Sequence, residues 1–177
     1  AATWLHISGE EVPEWILIAS PILFCTSYSC AILVTFVVTF KLIPGNIERG
    51  FPVKNFFSWY EILMHNGNIV ILGASMMVNG IGVEWDYIAF PVVFGIVYVA
   101  WAAIYANLIS GVFIYNFLDY RLNGAPVIYS ALLGIIATSF CVVLAIDRAL
   151  EWSFLLGIAL ILTMTMAIST YREPSQG

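Results

Sequence analysis

The stretch SWYEILMHNGNIVILGASMMVN, Ser58 to Asn79, decides how this chain is read. Its polar residues Ser58, Glu61, His65, Asn68, Ser75 and Asn79 follow one another at steps of 3, 4, 3, 7 and 4, with Leu72 in the long gap. That is the rhythm of one face of an α-helix. Around the seam stand Ile62, Leu63, Met64, Ile69, Val70, Ile71, Met76 and Met77. Ionisable and amide groups on so apolar a helix are costly against lipid, so the seam is expected to face protein, toward the first and third spans.

Composition sets the context for that helix. Of 177 residues, 62% are hydrophobic and 10% charged, against about 25% charged in ordinary soluble domains. A water-soluble fold of this size leaves too much surface exposed to hide so many apolar side chains. An integral membrane protein is therefore expected. The formal charge of −5 argues against nucleic-acid binding, which needs a basic surface, and there is no polybasic run to grip anionic lipid. Cys25, Cys30 and Cys141 all sit in apolar segments, without metal-binding or paired spacing, and read as small packing residues.

Hydropathy divides the chain, taken as one transmembrane domain over residues 1–177, into spans at about 14–40, 55–79, 87–110, 127–146 and 151–170, each near the length a bilayer requires. The fold class predicted is all-α, an integral membrane bundle of five transmembrane helices. Residues 41–54, with two prolines and two glycines, read as an ordered loop, and residues 80–86 as a tight turn. Residues 111–126 read as an aromatic segment at the interface. Asp147 and Arg148 read as the junction of the fourth and fifth spans.

With the N-terminus outside, Lys41, Arg49, Lys54, Arg121 and Arg172 collect inside and only Arg148 lies outside, a strong bias under the positive-inside rule. The acidic Glu10, Glu11 and Glu14 then lie on the outer or lumenal face. The chain opens Ala1-Ala2-Thr3 without methionine, which is the expectation for a removed leader. A lumenal N-terminus favours a thylakoid over a mitochondrial inner membrane.

Glu61 and His65 stand at i and i+4, where side chains on one helix face touch. Such a pair serves a carboxylate that orients an imidazole acting as base or ligand. The first reading of the pair is nonetheless polar glue toward Tyr98, Tyr105 and Asn107 on the third span, or Ser27 and Thr35 on the first. His65 is the only histidine within a span, so bis-histidine haem is excluded; bound lipid or a single pigment at His65 remains as a cofactor reading. No metal site is expected, since a carboxylate-bridged centre needs several Glu and His on facing helices. No G-x-S-x-G, H-E-x-x-H or phosphate loop occurs.

The run WYEILMH, Trp59 to His65, followed by Asn68, resembles the Trp…Met-His and His-x-x-Asn patterns of the androgen-induced and rolling-stone-like membrane protein superfamily. Pro91, Gly95 and Tyr98 follow in order. The run GVFIYNFLD, Gly111 to Asp119, is similar to that family's Gly…Tyr-Pro-Phe/Leu-Leu-Glu/Asp signature, with Asn116 where proline is usual. The resemblance covers about residues 14–147. Some androgen-induced members hydrolyse fatty acid esters of hydroxy fatty acids with a threonine nucleophile and a histidine, so it implies a catalytic role for His65. It places the threonine on a helix upstream of the first span here, and it puts Glu61 where the hydrolases carry Asn.

Two functions are expected from these readings. The first is a non-catalytic accessory subunit of a larger energy-converting membrane complex, with other membrane subunits and lipids as partners. The second is an intramembrane lipid-ester hydrolase with His65 as base, Glu61 as its orienter, and Thr26, Thr35, Thr39, Thr163 or Thr165 as nucleophile.

Overall fold

A computed structural model describes residues 12–171. Expectations that fall on Glu10, Glu11 and Arg172 lie outside the described residues. The described residues include four helices long and apolar enough to cross a membrane: α1 (Glu14–Glu48), α2 (Trp59–Asn79), α3 (Trp85–Ser110) and α4 (Ala125–Trp152). A fifth, α5 (Phe154–Ile168), has 15 residues. At 1.5 Å per residue it rises about 22 Å, short of the ~30 Å hydrocarbon layer.

α1 runs on where a loop was expected. An α-helical segment to Val37 passes through a π turn, Val38–Leu42, into a further helical piece, Ile43–Glu48. Pro44 falls in the first turn of that piece, where a missing N–H does least harm, and the widened turn just ahead of it absorbs the break in the ladder. The helix stops at Gly50, which adopts φ +71°. There the Phe51 N–H donates to the Asn46 carbonyl at 2.9 Å and the Gly50 N–H to the Ile47 carbonyl at 3.0 Å. These are the paired bonds of a Schellman cap, which needs a left-handed residue at that position.

The junction of α4 and α5 also differs from expectation. The chain turns at Ser153 alone, with φ −155°, and Asp147 and Arg148 lie inside α4. Neither charge forces a turn because both are satisfied sideways. Asp147 accepts the Val83 N–H at 3.0 Å, and Arg148 pairs with Glu151 one turn on at 2.9 Å.

The core joins α1, α2, α4 and α5 through Cys25, Tyr28, Ile32, Ile69, Met76, Phe140, Val143, Ile146 and Ile161, with Val83 closing it from the α2–α3 connection. α1 and α4 are central. α2 packs against α1 and α5, whereas α3 packs against α1 and α4. Residues 111–124 are irregular around a single 3₁₀ turn, Asn116–Leu118, and expose Val112, Ile114, Tyr120 and Leu122.

Candidate functional site

α2 starts at Ser58, whose extended backbone breaks from the preceding 3₁₀ turn. Its hydroxyl donates to the Asn55 carbonyl at 2.9 Å instead of capping the helix. One turn later the α-helix opens into a π turn, Leu63–Gly67, which carries His65. His65 Nε2 lies 2.8 Å from Glu61 Oε2, with both side chains part-buried. Donation to Glu61 places the proton of a neutral imidazole on Nε2 and leaves Nδ1 as an acceptor. Nδ1 is buried with no hydrogen-bond partner. The Thr35 hydroxyl on α1 donates to the His65 carbonyl, so α1 anchors the π turn that presents the imidazole.

The rest of the seam turns back on its own helix. Asn68 Nδ2 donates to the Met64 carbonyl at 2.7 Å, and Asn79 Nδ2 donates to the Ser75 carbonyl at 2.8 Å and to its hydroxyl at 2.9 Å. Asn68 and Asn79 are exposed, while Ser58 and Ser75 are half-buried. The buried face of α2 is instead Asn66, Ile69, Gly73 and Met76, one residue and thus about 100° round from the seam. It faces α1 and α5, which corrects the expectation that the seam points at the third span. Among the described residues, Tyr98, Tyr105, Asn107 and Ser27 form no side-chain hydrogen bond with Glu61 or His65; Asn107 is engaged with the Ala103 carbonyl and Tyr120. Of the partners expected, only Thr35 meets the pair.

Asn66 lies off the polar seam, yet its spacing of 3, 4 and 3 through Ile69, Gly73 and Met76 is itself a helix face. Its Nδ2 donates to the Thr170 carbonyl at 2.7 Å, and Thr170 donates to Thr39 Oγ1 at 3.4 Å. This cluster at one end of α1, α2 and α5 leaves the buried hydroxyls of Thr165 and Ser169 unpartnered. Among the candidate nucleophiles, Thr26 donates to the Ile22 carbonyl at 2.8 Å and Thr35 is committed to the His65 carbonyl.

The pigment reading fits poorly. Glu61 occupies one ring nitrogen of His65 and the bundle encloses the other, so neither is presented to a planar ligand. Among the described residues, no group of three or more His, Cys, Asp and Glu stands close enough to hold a metal ion.

The aromatic connection between α3 and α4 comes close to this end of α2. Tyr115 stacks on Phe117 with ring centroids 5.3 Å apart. Burial pushes the Tyr115 phenol above its ordinary value, and the Glu61 carboxylate adds to the shift. Further along, Arg121 grips Asp119 through two bonds, Nε to Oδ1 and Nη2 to Oδ2, each 2.8 Å. That grip holds the Asp119 carboxyl below the usual carboxylate range. No protein-family model, curated protein or solved structure matches this chain.

Proposed function

We propose that the chain is a five-helix membrane protein acting as a non-catalytic accessory subunit of a larger energy-converting membrane complex. The observation that carries the reading is α3, which buries least of the four long helices and presents Phe90, Val93, Val97, Trp101 and Ile104 outward. A face this large and apolar needs lipid or a neighbouring subunit to cover it. The charges support an orientation with the N-terminus outside or lumenal. Lys41, Arg49 and Arg121 share one end of the bundle, and Arg148 stands at the other among Glu84, Asp147 and Glu151. A lumenal N-terminus suits a thylakoid better than a mitochondrial inner membrane.

Native gel separation of mildly solubilised membranes, with mass spectrometry of the band, tests this directly. The chain is expected to migrate with other membrane subunits. Migration as a lone species near its own mass plus detergent would remove the subunit reading.

The 2.8 Å Glu61–His65 pair favours a second reading, a lipid-ester hydrolase of the kind that the androgen-induced resemblance implies. Under it, His65→Ala abolishes turnover of a lipid ester by the purified chain, and Glu61→Ala lowers it, because the imidazole loses the carboxylate that fixes its tautomer and orientation. Absence of turnover in the unaltered protein removes this reading.

A further inference from the structure

Two hollows meet at Phe117. The first, of about 360 Å³, lies between α1, α3 and α4 and is walled by Val34, Val38, Phe94, Tyr98, Leu133 and their neighbours. Its volume falls within the ~300–1,000 Å³ usual for ligand pockets. Its lining is almost wholly hydrocarbon. Of its few polar groups, the Tyr129 hydroxyl is already spent on the Leu118 carbonyl at 2.7 Å. Only an apolar chain suits such a space.

The second, of about 520 Å³, opens beyond Phe117 at the end of α1 and is lined by Lys41, Arg49, Arg121, Asp119 and Asn116. Arg121 is engaged by Asp119. Lys41 and Arg49 make no ion pair among the described residues. Three basic groups and one carboxylate leave this bay cationic. Its position, at the helix end next to an apolar hollow, is where a bilayer places its headgroups.

We propose that the two hollows form one site for an anionic phospholipid, with an acyl chain between α1, α3 and α4 and the phosphate against Lys41 and Arg49. A phosphate offers oxygens to a point-charge ammonium and a forked guanidinium together. The bay, at about 520 Å³, has room for a phosphate headgroup. Phe117, shared by both hollows, marks the depth at which chain gives way to headgroup.

The site rests on the membrane reading but not on the subunit reading, because it is built by this chain alone. The test is native mass spectrometry of the full chain, purified in mild detergent and exposed to an equimolar mixture of phosphatidylcholine, phosphatidylglycerol and oleate. Preferential retention of phosphatidylglycerol is expected. The double variant Lys41→Gln/Arg49→Gln should lower that preference about 25-fold, from roughly fivefold per basic residue at a membrane surface. Both substituted side chains are exposed, so this variant keeps its fold. Val34→Trp, which fills the apolar hollow, should reduce retention of phosphatidylglycerol while leaving the charge preference for the remainder unchanged. Equal retention of the two phospholipids, preferential retention of oleate, or a double variant that behaves like the original would each overturn the site. Alkaline carbonate washing of native membranes separates the two levels of failure. Release of the chain removes the membrane reading with the site, while a chain that stays embedded but shows no phosphatidylglycerol preference removes the site alone.

Discussion

Replacing Asp147 with alanine is expected to cost about 2–3 kcal/mol of stability, the loss of a hydrogen bond to a charged acceptor together with a buried donor left without a partner. Asp147 is 6% exposed and Val83, whose N–H it accepts at 3.0 Å, is fully buried. That one bond ties the connection between α2 and α3 to the last turns of α4. The same connection is held from outside by Arg148, which donates to the Val83 carbonyl at 3.1 Å and lies 3.8 Å from Glu84. With Asp147 gone, Arg148 keeps Glu151 but loses a carboxylate 3.9 Å away. Asp147→Asn retains an oxygen that can accept from Val83, so it should cost about half as much or less. Thermal unfolding in detergent, read by circular dichroism, ranks the three proteins. Equal and small losses for Ala and Asn would mean that water satisfies the Val83 N–H and that the carboxylate is not the tie.

The same residue shows where sequence reading reaches its limit. Asp147 and Arg148 interrupt an apolar run, and charge in such a run usually marks its end. Here α4 continues for more than a turn, because partners 64 and 65 residues back in the chain take up both groups. No local pattern announces partners that distant. Pro44 and Gly45 misled in a similar way. They read as loop, but a π turn ahead of the proline and a glycine cap after it let the helix run to Glu48.

What was legible follows from short-range rules. Apolar runs about 20 residues long give the long helices, and each of four predicted spans overlaps one of them, with ends that differ by up to eight residues. The contact of Glu61 with His65 follows from i, i+4 spacing on any helix. Thr35 is one of the partners that the sequence offers this pair, and it meets the His65 carbonyl. The phase of α2 was not legible. Period alone sets which residues share a face, whereas the identity of the buried face depends on which helices arrive beside it. Gly73 was the available signal. A Cβ there would meet Ile161 Cγ2 at 2.8 Å and Tyr28 Oη at 3.0 Å, and a small residue at an apolar helix face marks a close crossing. The cationic bay was half legible. Charge bias had put Lys41, Arg49 and Arg121 on one side, but only the folded connection between α3 and α4 brings Arg121 beside the end of α1.

Gly157→Ala is the second large effect expected, a loss of about 1–3 kcal/mol by overpacking. Ser153 alone separates α4 from α5, so the two helices fold back on each other with their nearest turns in contact. Gly157 sits in the first turn of α5, its N–H donating to the Ser153 carbonyl at 3.0 Å. A Cβ there would fall 2.3 Å from Leu150 Cγ and Cδ2 and 3.0 Å from Leu150 Cα. The leucine side chain could rotate away, but its Cα moves only with the backbone of α4, so the methyl group must wedge the hairpin open. Gly134 provides the control. It lies in the middle of α4, where an added Cβ meets nothing within 4 Å. There Gly134→Ala should gain about 0.5–1 kcal/mol, because alanine loses less freedom on entering a helix. Gly67 is intermediate, since its Cβ would meet only the mobile end of Leu63 at 2.8 Å. Unfolding midpoints in one detergent should therefore run Gly134→Ala above the parent and Gly157→Ala well below it. A Gly157→Ala protein as stable as the parent would show that α5 packs less tightly on α4 than the Ser153 turn requires. Because Ile161 of α5 also covers Gly73 of α2, loosening at Gly157 should reach the Asn66–Thr170 bond that holds the far end of α5 to α2.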